Sequence, residues 1–210
     1  MNGAFERKNF ALVKQLARDG MVLDEKQKIG KFLINGWTGW LLQVAQAEGN
    51  IPEIKEYALT LFLKNGEFDY YRLYKKCFAK SEWSQEADRI IGLLKKSDED
   101  SRGTLAQIFI QEERWNDLLA FVQQDVNAYT LDAYKGHLAS RFPKELAAMY
   151  EKVIVEELAP LVGRNNYQRV GQFMRQMKKI GAQERVKVLV EELSIKYKNR
   201  PAFLEEMMRV

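Results

Sequence analysis

The chain has 210 residues, 46% hydrophobic and 30% charged, with a single cysteine and a single histidine. That length buries a sizeable core as one large domain or two small ones, and the apolar share excludes global disorder. Cys77 and His137 cannot supply a disulfide framework or a closed zinc site, and any histidine-based triad would have to use His137.

In chain order, the first predicted helices cover 5–18 and 24–35, with Gly20 punctuating them and Asp24 as the cap of the second. Gly36-Trp37-Thr38-Gly39 reads as a helix–helix turn. No strand precedes it and no Lys accompanies it, so it is not a phosphate cradle. A helix from about Thr38 to Glu48 then precedes a strong start signal, Asn50-Ile51-Pro52-Glu53. There a capping Asn, a first-turn Pro and a third-position Glu open a helix that stops near Asn65-Gly66. Further helices are predicted over 68–79, 82–96, 103–111, 114–124, 129–140 and 143–161. The charged stretch from Lys96 to Gly103, with Asp98-Glu99-Asp100 inside it, reads as a loop between hairpins and lacks the alternating ligands and Gly of a calcium loop.

The last two long helices carry the clearest stripes. Tyr167, Val170, Phe173, Met174, Met177 and Ile180 follow three- and four-residue steps, as do Val186, Leu189, Val190, Leu193 and Tyr197. Gly181 between them is a C-cap signal, so the pair must fold back as a helical hairpin. A short helix follows Pro201. Nothing shows sustained alternate-residue patterning, so the fold is predicted to be all-α.

Ile51, Trp83 and Trp115 open helices at a spacing of 32 residues, near the tetratricopeptide period although its consensus is not met. The expected architecture is one helical-repeat domain over 1–210, a TPR-like solenoid of stacked antiparallel hairpins at roughly 24–65, 68–96, 103–124, 129–161 and 166–197. The longest apolar run, Ala58 to Leu63, is far short of the ~20 residues of a membrane span. The chain's start lacks a secretory hydrophobic stretch, and one unpaired cysteine fits a reducing cytoplasm.

Several phrases occur in a familiar order. They are Tyr71-Arg72-Leu73-Tyr74-Lys75-Lys76-Cys77-Phe78, Ser81-Glu82-Trp83, Ile108 to Leu119, Phe142 to Ala147, Asn166 to Val170, Met177 to Gly181 and Tyr197 to Phe203. Together they resemble the helical C-terminal region of bacterial SWIM zinc-finger proteins, over about two thirds of the chain. The first 60 residues match only as generic helical repeats. The family's Cys-x-Cys and Cys-x-His ligands have no counterpart here, so the resemblance implies no zinc in this chain. It implies a fragment of a longer protein or a relative without the metal module, serving as an interaction scaffold.

Charge is uneven. The net charge is +4, yet residues 164–200 hold ten basic side chains against three acids, leaving the remainder net acidic. Arg164, Arg169, Arg175, Lys178, Lys179, Arg185 and Lys187 form the predicted basic contact surface, with Arg175, Lys178 and Lys179 on one helical face. Such a surface suits nucleic-acid phosphates or an acidic protein. Tyr167, Phe173 and Tyr197 lie on the apolar stripe and are not base-stacking platforms.

Other features have ordinary structural readings. His137 has no neighbouring nucleophile and reads as a structural or surface residue. Cys77 reads as a small apolar residue in a helix, whose thiol Lys75 and Lys76 would acidify only by facing it. Trp83 and Trp115 read as packing anchors. The pairs Glu112-Glu113, Glu156-Glu157, Glu191-Glu192 and Glu205-Glu206 diverge by about 100° on a helix and form no carboxylate dyad. The expected function is a non-catalytic scaffold without cofactor or metal, taking a protein or peptide partner. A nucleic-acid-associated module is the alternative, and no membrane is involved.

Overall fold

The computed structural model describes residues 1–26, 31–96 and 101–210, with side chains described outside 25–35. Among these residues every regular element is helical. The chain divides into two compact units, Met1–Leu105 and Ala106–Val210.

In the first unit, α1 (Asn2–Glu6) and α2 (Phe10–Lys26) are separated by Lys8 in the left-handed region. The Asn9 carboxamide accepts the Leu12 N–H at 3.2 Å, a side-chain cap for α2. α3 (Lys31–Glu48) packs on α2, α4 (Ile51–Asn65) on α3, and α5 (Phe68–Lys75) on α4. α6 (Lys80–Lys96) completes the long helices of this unit, and α7 (Arg102–Gln111) spans the division. The start of α4 is as expected: Asn50 accepts from Glu53 N–H at 3.3 Å, with Pro52 in the first turn. Its end is the expected glycine, Gly66 at φ +70°, whose N–H reaches the Phe62 carbonyl at 2.8 Å. Lys14 ties α2 to its neighbours by ion pairs to Glu48 at 2.7 Å and Glu53 at 2.8 Å.

The opening elements differ from the sequence expectation. Gly20 lies inside α2, and Gly36-Trp37-Thr38-Gly39 lies inside α3, so neither is a helix break. Asp24 is not a cap: it is a buried residue of α2 whose carboxylate accepts the Trp37 indole N–H at 2.6 Å. Of the predicted helix 24–35, residues 27–30 lie outside the described residues, as does Asp98-Glu99-Asp100 in the predicted loop. Tertiary packing explains the glycine. A Cβ on Gly20 would sit 2.5 Å from the Trp37 ring, so a bare backbone is required where α2 meets α3.

This geometry reverses the usual sign of a helical Gly→Ala change. Gly92 in α6 has open space around it, so Gly92→Ala is expected to gain about 0.5–1 kcal/mol. Gly20→Ala gains the same propensity but overpacks against Trp37, with an expected net loss of about 1–2 kcal/mol. Chemical denaturation of the two variants beside the parent chain checks the order.

The core of the first unit is a run of aromatic contacts. Phe62 meets Phe68 at 5.4 Å and Tyr71 at 5.0 Å, and Tyr71 meets Trp83 edge-on at 5.4 Å. Trp83 is therefore a packing anchor, 6% exposed, with Ile90 beneath it fully buried. Ile51, 32 residues upstream, is 47% exposed, so the repeated spacing does not give equivalent packing positions.

The second unit contains α8 (Trp115–Gln124), α9 (Ala128–Leu138), α10 (Pro143–Lys152), α11 (Arg164–Lys179), α12 (Gln183–Lys196) and α13 (Pro201–Met207). From α8 to α12 each helix packs on the next, and α13 packs on α11 and α12. Asn127 caps α9 by accepting from Thr130 N–H at 2.9 Å. The single helix expected over 143–161 is instead α10 followed by a π-helical turn, Val153–Leu158. Its widened geometry ends on a bond from Ala159 N–H to the Ile154 carbonyl at 2.8 Å. The Arg200 guanidinium then donates to the carbonyls of Ala159, Pro160 and Leu161, satisfying acceptors that a helix end leaves open. The stripe of α11 is buried as expected, and Gly181 after it has φ +93°.

Candidate functional site

The predicted basic surface is distributed among partners rather than gathered. Arg164 pairs with Glu205 at 3.1 Å and Glu206 at 3.4 Å, and Arg169 pairs with Asp132 at 2.6 Å. Lys187 pairs with Glu184 at 2.8 Å, and Lys178 donates to the Val210 carbonyl oxygen. Arg185 places two nitrogens on Glu151, at 2.8 and 2.6 Å, and also reaches Glu192 at 3.2 Å. Arg175 and Lys179 are exposed and make no ion pair or hydrogen bond among the described residues. Tyr167 and Phe173 are buried, as their stripe predicts.

The Glu151–Arg185 pair closes one side of an apolar groove of about 450 Å³ between α10 and the α11–α12 turn. Lys144, Ala147, Ala148 and Glu151 follow one face of α10 at three- and four-residue steps. The opposite face, with Leu146, Met149 and Tyr150, enters the core. Ile180, Gly181 and Ala182 supply the facing wall, with the buried Met177 behind them. Small side chains on α10 keep the groove open, and charges stand only at its edge. Lys144 has no ion-pair or hydrogen-bond partner among the described residues, whereas Glu151 is occupied by Arg185. The uncompensated charge around the groove is therefore positive. The groove thus combines an apolar floor with a charged rim.

The two residues singled out for chemistry have structural settings. The His137 ring stacks on Trp115 with centroids 6.1 Å apart and an interplanar angle of 14°. Arg141 lies 4.0 Å from the Trp115 centroid and donates to the His137 carbonyl. Cys77 is in the turn after α5 and not in a helix, because α5 ends at Lys75. Burial pushes its thiol upward against the opposing pull of Lys55, so Lys75 and Lys76 do not activate it. Among the described residues no cluster of three His, Cys, Asp or Glu is placed to hold a metal ion, and no helix is long and apolar enough to cross a membrane.

A second polar constellation was not foreseen from the sequence. The Tyr74 hydroxyl donates to Glu86 at 2.6 Å, Arg89 Nε donates to Glu86 at 2.7 Å, and Arg89 Nη2 donates to the Tyr74 oxygen at 2.8 Å. Burial lifts the Tyr74 hydroxyl to about 12, with its bond to Glu86 adding to the effect. Burial also pushes the Glu86 carboxyl up, but bonds from Arg89 and Tyr74 outweigh it and hold Glu86 below its ordinary 4.5. The bond from Arg185 likewise holds Glu151 low, against burial.

These shifts have a definite sign. A carboxyl depressed in the folded state contributes stability above its unfolded pKa and loses that contribution as pH falls through the folded value. The contributions of Glu86 and Glu151 are thus complete at neutral pH and decline only below the ordinary 4.5. Denaturation midpoints measured at neutral pH and in acid should converge between the parent and Glu86→Gln or Glu151→Gln chains as acidity rises.

Comparison with protein-family models, with curated proteins and with solved structures finds no match to this chain.

Proposed function

We propose that the chain is a non-catalytic protein-interaction scaffold built of stacked helical hairpins in a TPR-like manner, working in the cytoplasm. The groove between α10 and the α11–α12 turn carries this reading. Its occupant is a partner segment bearing an aliphatic side chain flanked by carboxylates. The aliphatic group meets Ala147, Ala148, Ile180 and Ala182, while the carboxylates face Lys144. Serial packing of each helix on the next, from α1 to α5 and from α8 to α12, supports the hairpin stack. The resemblance of the ordered phrases from Tyr71 onward to the SWIM-associated helical region supports the scaffold role.

Selection of a displayed random peptide library on the intact chain tests the proposal. The enriched peptides should carry an aliphatic residue beside Asp or Glu. Ala148→Asp, which fills the groove and adds a negative charge, should weaken them by about ten- to a hundredfold. Peptides without acids, or with affinity indifferent to this change, would refute the groove as the site.

The second reading is a nucleic-acid-associated module, favoured by the unpaired and exposed Arg175 and Lys179. With the other five residues of the predicted basic surface engaged by protein groups, the two that remain release two counterions and give a slope of about −1.8 for log affinity against log salt. Anisotropy titrations of DNA and RNA across salt concentrations distinguish the readings.

A further inference from the structure

The first unit holds a separate cleft of about 500 Å³ lined by Lys55 of α4, Phe78 of the turn after α5, and Glu82, Gln85, Glu86 and Arg89 of α6. The four α6 residues follow one helical face, which flanks the core stripe of Trp83, Ala87, Ile90 and Leu94. Two cations and two carboxylates therefore share one opening, and their engagement differs sharply.

Arg89 and Glu86 satisfy each other and Tyr74 in the closed triangle described above. Lys55 forms no such bond, although its charge acts on Glu86 and on the Cys77 thiol. Its ammonium lies 3.6 Å from the centroid of the Phe78 ring and makes no ion pair or hydrogen bond among the described residues. An ammonium has three donors, and the aromatic face satisfies none of them as a hydrogen bond. Glu82 is half engaged: Oε2 accepts the Ala79 N–H at 3.1 Å in the manner of a capping box, while Oε1 accepts no hydrogen bond among the described residues. The cleft thus presents one open cation and one open carboxylate oxygen beside an aromatic wall.

A simple anion would meet Glu82 and Glu86, and a simple cation would meet Lys55 and Arg89. A molecule with both charges and no net charge meets neither penalty. We infer that this cleft binds a small zwitterion of the amino-acid or short-peptide class. Its carboxylate bonds to Lys55, its ammonium bonds to Glu82, and its apolar part rests on Phe78. The inference is independent of the α10 groove, which lies in the other unit.

Calorimetric titration of the intact chain with glycyl-leucine, N-acetyl-glycyl-leucine and glycyl-leucinamide tests it. Glycyl-leucine should bind, and each blocked form should bind about ten- to a hundredfold more weakly, the loss expected for one charge-assisted contact. Lys55→Met, which keeps the stem against Phe78, should weaken the acetylated peptide but not the amide. Glu82→Gln, which can still accept from Ala79, should do the reverse. No binding of glycyl-leucine up to about 10 mM, a concentration corresponding to very weak affinity, overturns the proposal. Equal affinity for the three ligands also overturns it. These two outcomes are read on the unaltered chain, so they do not depend on either variant folding.

Discussion

Phe203→Ala is expected to lower the stability of the second unit by about 3–5 kcal/mol, the range for emptying a buried aromatic site. Phe203 has no exposed surface and belongs to α13, a helix of seven residues. So short a helix is not stable by itself; tertiary contact must hold it. Its ring meets Tyr167 of α11 at 5.2 Å, edge-on, and Tyr197 after α12 at 5.1 Å. Truncation removes both contacts and leaves a void between three elements that cannot all close on it. The Arg164 pairs to Glu205 and Glu206 do not replace the loss, because Arg164 is half exposed and such pairs contribute little. Urea titration followed by circular dichroism measures the shift, and Phe203→Leu should recover a substantial part of it by restoring apolar volume.

Phe62→Ala carries a comparable expected cost, about 3–5 kcal/mol, in the first unit. Phe62 is 1% exposed and lies one turn before the Gly66 cap. Its neighbours Phe68 and Tyr71 belong to α5, so this ring fixes how the chain returns after the cap. Tyr71 in turn contacts Trp83, so a void at Phe62 reaches the α6 anchor through one intervening ring. Thermal unfolding monitored in the near-ultraviolet should show the midpoint falling and the aromatic signal weakening together. A loss below about 1 kcal/mol would mean that the cluster can repack around the missing ring.

What could be read in advance was local. Asn50-Ile51-Pro52-Glu53, Gly66 and Arg200-Pro201 mark helix ends through groups within one turn of the end they mark, and the structure places those ends accordingly. The core stripe of α11 was equally legible, since its spacing alone brings Tyr167, Val170, Phe173 and Met177 together. Gly20 was misleading because its local meaning, a helix breaker, is overridden by Trp37 on another helix. Asp24 follows the same rule: a good cap by type becomes a buried partner of an indole.

The basic segment shows the limit most clearly. Charges between 164 and 200 can be counted along the chain, but Asp132 and Glu151, which engage Arg169 and Arg185, stand 37 and 34 residues upstream. Only the fold reveals that Arg175 and Lys179 stay open while their neighbours are taken up. The α10 groove has the same origin. Lys144, Ala147, Ala148 and Glu151 can be read as one face, yet their spacing does not say that the face is left uncovered.

The packing of Trp115 against His137 and Arg141 has an optical consequence. Of the four tryptophans, Trp37, Trp40 and Trp83 belong to the first unit and Trp115 alone to the second. Indole emission therefore carries two separable signals, and the one from Trp115 comes from a ring held beside an imidazole and a guanidinium. The second half of the chain thus contains its own single-site fluorophore, which reports on the packing of α8 against α9.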